Sequence, residues 1–299
     1  MKRLLGRPDY LCLGAVLLAG SGFAVPRALA QFRIESQAVL VDVAVSDGGP
    51  VLDLRKEDFE LYEAGEPTSF QLLDPALLPV AVVFAMDVSA STVGERHRRL
   101  GEGAALFAGG LTRRDSCAVI AFSMEPFWTR DFAPCGADVR TDVRAEAPGG
   151  PTSVRDSVIL SLAVLHREEG RKVLLLFTDA YDNLSWTSDD QVMTAVRGSG
   201  ALVYSIVARP RDSFRFLGPS DDGFRLIREV SEASGGRLLE VSADDDLAAA
   251  YQDVLEELRT RYVLSFSPNP ELDGFVPIEV RVKRRGVDVR ARPGYVARR

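Results

Sequence analysis

Four runs in this chain are almost wholly apolar: LPVAVVFAM (78–86), CAVIAF (117–122), KVLLLFT (172–178) and ALVYSIVA (201–208). A strand with one wet face alternates apolar and polar residues, so a strand apolar throughout is covered on both faces. Between and after these runs lie amphipathic stretches of helical length, at 94–111, 153–169, 189–200, 222–236 and 244–261. The last opens with three aspartates, which suit a helix N-terminus. Buried strands alternating with helices predict an α/β fold: a doubly wound, mainly parallel sheet with helices on both faces.

The flanks read differently. AVLVDVAVSD alternates, GGP marks a turn, and EDFELYEAGEPTSFQLLD gives two more short strands around EAGEP. After 260, RYVLSFSP, FVPIEVRVKR and VDVRARPGY read as three strands. Neither flank is long enough to bury a core alone. The economical arrangement joins 31–76 and 261–299 in one small β-sandwich, with an α/β domain at 77–260 inserted between them. Two separate β appendages are the alternative.

The first thirty residues have the form of a secretion signal. Lys2, Arg3 and Arg7 are followed by a short apolar core, and Ala28-Leu29-Ala30 is a cleavage signal before Gln31. The apolar core is short for a spanning helix, although an uncleaved N-terminal anchor is the rival reading. Cleavage after Ala30 implies a secreted or periplasmic protein, with no membrane insertion thereafter. The leader carries four basic residues and one acidic residue, and the whole chain is −7, so the remainder stands at −10. That charge disfavours nucleic acid and anionic membranes as partners and suits a divalent cation. The basic run RVKRRGVDVRAR at 281–292 reads as the solvated face of two strands.

Cys117 and Cys135 remain beyond the leader. Antiparallel pairing of CAVIAF with PFWTRDF (126–132) brings them near each other, and an oxidising compartment permits a disulfide. The other reading keeps Cys117 as a small buried hydrophobe and Cys135 as a thiol.

Ligands of open α/β sheets sit beyond the carboxyl ends of the strands, at the point where strand order reverses. Three features fall at such ends or in loops that reach them. Asp87-x-Ser89-x-Ser91 follows the first central run, Asp179 follows KVLLLFT, and Thr152 precedes the second helical stretch. Two carboxylates and three hydroxyls are hard oxygen donors, suited to Mg²⁺, Mn²⁺ or Ca²⁺ rather than zinc or copper. Helix caps and turn residues are the competing structural reading of the same side chains.

This pattern resembles the metal-ion-dependent adhesion site of von Willebrand factor type A domains. There, Asp-x-Ser-x-Ser follows the first strand, a threonine comes next, and an aspartate follows the fourth strand. The resemblance maps Asp87, Ser89, Ser91, Thr152 and Asp179 onto that site. It implies that the hydroxyls bind the metal directly while the aspartates act largely through water. It also implies a protein partner whose Asp or Glu carboxylate completes the shell. Ala180 stands where the family usually has glycine. The flanking β segments are similar to those of a secreted bacterial group of such proteins, common in Acidobacteria.

Tyr181, Asp182, Asn183 and Trp186 follow Asp179 and are expected on the rim of the site, with Tyr181, Asp182 and Trp186 the partner-binding candidates. Phe214 and Phe216 lie in a loop expected on the same face. His97 and His166 are the only histidines, and neither pairs with a nucleophile in the pattern of a hydrolase. The expected function is non-enzymatic: divalent-metal-dependent binding of another protein. The alternative is a metal-independent structural or assembly module of the cell envelope.

Overall fold

The computed structural model describes residues 38–90, 95–136, 138–139, 150–209, 221–242 and 247–297. The expected leader, Ser91, Phe214 and Phe216 lie outside the described residues. In chain order the strands are β1 (Val39–Ser46), β2 (Phe59–Glu63), β3 (Glu66–Pro67), β4 (Gln71–Leu73), β5 (Val80–Asp87), β6 (Ser116–Phe122) and β7 (Pro126–Pro134). They continue as β8 (Arg171–Thr178), β9 (Leu202–Arg209), β10 (Leu238–Ser242), β11 (Tyr262–Phe266), β12 (Gly274–Val282), β13 (Asp288–Arg290) and β14 (Gly294–Ala297). The helices are α1 (Glu95–Gly109), α2 (Val154–Leu165), α3 (Asp189–Ser199), α4 (Asp221–Ala233) and α5 (Leu247–Thr260).

Each of the four apolar runs becomes an inner strand of a six-stranded sheet ordered β10-β9-β8-β5-β6-β7. All neighbours are parallel except β7, which runs antiparallel to β6. The sheet is covered on both sides, which is why β5 is buried at every position. Val82, Phe84 and Met86 meet Leu100, Phe107, Tyr251 and Val254 of α1 and α5 on one face. Ala81, Val83 and Ala85 meet Val158, Leu162, Val192 and Val230 of α2, α3 and α4 on the other. Close approach of α1 to α5 depends on Gly103, where a Cβ would sit 2.2 Å from the Tyr251 ring.

Two four-stranded antiparallel sheets, β13-β1-β11-β4 and β14-β12-β2-β3, interleave the two ends of the chain. Val39 stands opposite Phe266 on β1 and β11, and Glu63 opposite Ile278 on β2 and β12. One apolar cluster, including Val41, Val43, Phe59, Leu61, Leu264, Phe266, Val276 and Tyr295, draws on both sheets.

Buried charges join these sheets to the α/β part. The Arg171 guanidinium donates from Nε to Asp42 of β1 at 2.8 Å. The fully buried Arg261 donates to Glu257 at 2.7 Å, to the Tyr204 hydroxyl at 2.8 Å and to the Gly235 carbonyl at 2.6 Å. Arg290 of β13 pairs with the same Glu257 at 2.7 Å.

The structure differs from the sequence reading at three places. LLEVS forms a sixth strand of the large sheet, β10, which the apolar runs did not announce. The last expected strand is two, β13 and β14, because Arg292-Pro293 interrupts it: proline has no N–H for a ladder. The segment around EAGEP holds three short strands, not two. Cys117 and Cys135 form a disulfide, with Cα atoms 5.0 Å apart.

Candidate metal centre

Strand order reverses at β5, which has β8 on one side and β6 on the other. The next residue in chain order after β5 therefore leaves above the crevice that such sheets use for ligands. Asp87 ends β5 and is wholly buried. It pairs with Phe122 of β6, and Met86 before it pairs with Phe177 of β8, so Asp87 lies beside Thr178. Asp87 Oδ2 accepts from the Thr178 hydroxyl at 2.9 Å, and Oδ1 accepts from the Ser89 backbone N–H at 2.9 Å. The Ser89 side chain also bonds to Asp87, and Ser89 is buried.

Asp179 and Thr152 are both buried at the same end of the sheet. Asp179 Oδ1 accepts from the Tyr181 N–H at 3.1 Å. The Thr152 N–H donates to Asn183 Oδ1 at 2.8 Å, while its carbonyl accepts from the N–H groups of Asn183 and Leu184. Ala90 donates to the Gly150 carbonyl at 3.4 Å. Ser153 donates from both its N–H and its hydroxyl to the Ser123 carbonyl, at 2.8 and 2.9 Å. The loops after β5, β6 and β8, and the loop before α2, are thus stitched together by backbone and side-chain bonds.

Burial, and after it the negative charge of Asp179, push the Asp87 carboxyl up to about 6, against the pull of its bonds to Ser89 and Thr178. Two carboxylates that repel each other out of water, among hydroxyl oxygens, fit a hard divalent cation in donor type and charge. Among the described residues no group of three or more His, Cys, Asp or Glu side chains gathers, so the hydroxyls are needed to complete a donor set.

Ala180 has φ +68°, the left-handed conformation that glycine adopts without steric cost. The turn is made despite the Cβ. Thr178 Oγ1 accepts from the Ala180 N–H at 3.0 Å, and Gly223 at the start of α4 lies so close that a Cβ there would be 2.2 Å from the Ala180 carbonyl oxygen.

The rim departs from expectation at Asp182. Its side chain is turned inward: it accepts from the Arg155 N–H at 2.8 Å and from the Ser185 hydroxyl at 2.7 Å, and pairs with the Arg155 guanidinium. It therefore braces the loop instead of facing a partner. Asp156 has a similar part. Its carboxylate accepts from the N–H groups of Trp186 and Thr187 at 3.1 and 3.0 Å. Tyr181 is half exposed and Trp186 is 95% exposed. Thr178 is the site residue that sequence reasoning missed, because it closes the strand run as a small polar residue with no spacing of its own.

The α/β part of the chain, a doubly wound sheet with helices on both faces, has the fold of von Willebrand factor type A domains. No protein-family model matches the chain. Human inter-alpha-trypsin inhibitor heavy chain H4 is 24% identical over 231 residues, 73% of this chain, which spans only 23% of that protein. Proximal thread matrix protein 1 of the mussel byssus, solved with zinc in its MIDAS motif, superposes with TM-score 0.52 at 18% identity, over 65% of this chain and 49% of that one. The vWF domain of the pili tip protein Mfa5 of Porphyromonas gingivalis matches 60% of this chain and 94% of its own, at 13% identity and TM-score 0.47. No helix among the described residues is long and apolar enough to cross a membrane, which says nothing of strands that cross as a barrel.

Proposed function

We propose that this chain binds a divalent cation, Mg²⁺ or in its place Mn²⁺ or Ca²⁺, and through it a protein partner. The carrying observation is the pairing of two buried carboxylates, Asp87 and Asp179, with the buried Ser89 and Thr152 at the β5–β8 crevice. In this reading Ser89, Ser91 and Thr152 supply oxygen ligands. Asp87 and Asp179 supply the negative charge and hold water, and Thr178 fixes the Asp87 carboxylate. The bound cation would act as a Lewis acid that accepts one further oxygen. A cation such as Mg²⁺ keeps several waters instead of taking an all-protein cage, so one coordination position would be open to a partner's Asp or Glu carboxylate. The zinc-occupied motif of the mussel protein supports the metal reading and puts zinc among the ions to titrate.

The reading is of a binding protein, not an enzyme, acting outside the cytoplasm. Its N-terminal leader pattern and the Cys117–Cys135 disulfide support an oxidising compartment. N-terminal sequencing of exported protein is expected to begin at Gln31.

Calorimetric titration with each cation tests the metal reading. Heat of binding is expected for the wild type and none for Asp87→Ala, with the far-UV spectrum unchanged. Equal affinity in the variant would overturn it. A structural module without metal is the second reading, favoured by the fact that both Asp87 oxygens already have protein donors. That reading expects no heat with any ion.

A further inference from the structure

Nine large hydrophobic side chains are exposed among the described residues, and four of them stand on the loops that carry or touch the candidate ligands. Met124 is 55% exposed in the turn after β6, with its Cγ 3.1 Å from where a Gly150 Cβ would be, two residues before Thr152. Tyr181 follows Asp179 by two residues and bonds to its carboxylate through the backbone. Leu184 donates its N–H to the Thr152 carbonyl at 3.2 Å. Trp186 has its N–H on Asp156 at the start of α2.

These side chains are presented by a braced backbone. Asp156 and Asp182 together accept four backbone N–H groups from the loop and from α2, those of Trp186, Thr187, Ser185 and Arg155. A tryptophan left almost wholly in water on such a loop loses little freedom when it is covered, so its burial is available to binding. The loops 88–90, 123–125, 150–153 and 179–188 contain no Lys or Arg, and Glu125 is exposed among them. Among these described loop residues, a partner rich in acidic residues would find no cationic side chain beside the bound metal, and Glu125 would repel it.

Resting on the metal reading above, we infer that the partner is a protein segment in which a single carboxylate is flanked by large apolar side chains, with Met124, Tyr181, Leu184 and Trp186 forming its apolar seat. The cation takes the carboxylate, and the seat selects what stands next to it. Trp186 is the anchor and Asp182 is a brace.

A displayed library of random dodecapeptides, selected on the Mg²⁺-loaded protein and eluted with EDTA, tests this. Eluted peptides are expected to carry one Asp or Glu with Leu, Ile, Phe or Trp at adjacent positions. Synthetic copies are expected to bind roughly tenfold to a hundredfold more weakly to Trp186→Ala, with the Mg²⁺ affinity of that variant unchanged. In a Trp128→Phe background the remaining Trp186 emission is expected to shift to the blue on binding. If Mg²⁺ binds yet no peptide is enriched, or flanks are as polar as in the unselected library, or Trp186→Ala binds as well as wild type, the seat is refuted and the metal site stands. A dimer that Trp186→Ala dissolves, with no peptide response, would assign the rim to self-association and refute it too. Absence of any heat with divalent ions would instead remove the metal reading on which the inference rests.

Discussion

Thr178 donates its hydroxyl to Asp87 at 2.9 Å across adjacent strands, and the same oxygen accepts the Ala180 N–H at 3.0 Å. One side chain therefore orients the buried carboxylate of one candidate ligand loop and closes the turn of the other. Thr178→Val keeps the shape and removes both bonds. Bonds to charged groups contribute about 1.5–3 kcal/mol, so divalent affinity is expected to fall about tenfold or more by calorimetry. The sheet, whose packing does not involve the hydroxyl, is expected to persist in the circular dichroism spectrum.

Ala180 holds a left-handed conformation that costs an L-residue about 1–2 kcal/mol. Ala180→Gly removes that strain but loses a buried methyl and gives the unfolded chain more freedom, so the net gain is expected to be about 0.5 kcal/mol. The melting temperature should rise by about 1–2 °C, with divalent affinity equal or higher. Gly223→Ala is expected to do the reverse, because its Cβ would press on the Ala180 carbonyl.

Glu257 ties the sandwich to the α/β part, and its pKa sets an acid limit. Burial pushes its carboxyl up, but the guanidinium groups of Arg261 and Arg290 outweigh that and hold it down to about 2. A carboxyl lowered from 4.5 on folding adds stability above the unfolded value and loses it as pH falls through 4.5 toward 2. The contribution is about 3 kcal/mol. Glu257→Gln is expected to flatten that acid limb in urea denaturation between pH 5 and roughly 2. It is also expected to lower stability at pH 7 by about 3–5 kcal/mol, since Arg261 would be left buried without its charge partner.

The Cys117–Cys135 disulfide closes a loop with a sequence separation of 18 and pins the antiparallel edge strand β7 to β6. Its removal in Cys117→Ala/Cys135→Ala is expected to cost about 2–4 kcal/mol. Equilibrium unfolding of the variant, and of wild type with and without reductant, measures this.

What could be read before the fold was known depended on how completely a residue's neighbours are announced by its own run. β5, β6, β8 and β9 are covered on both faces, so continuous apolar stretches name them. β10 is a short strand at the sheet edge, and LLEVS carries too little apolar length to stand out from a loop. Asp87, Ser89 and Asp179 could be picked out as candidates because strand-end position and residue type both mark them, and Thr152 because it stands just before a helical stretch. Thr178 could not, because its partner lies 91 positions away on a neighbouring strand. Asp182 looked like a surface residue because a loop's sequence does not tell which way a side chain turns. Here the nearby Arg155 turned it inward.

The pairing of β1 with β11 has a consequence for how the protein is made. Val39 cannot find Phe266 until the chain has been made through residue 266. Until then β1 and β2 remain open edges, ready to pair with another chain, while the α/β part can already close on itself. The sandwich is thus the last piece to lock, and a chain that stops before residue 262 is expected to leave a sticky N-terminal ribbon attached to an otherwise folded body.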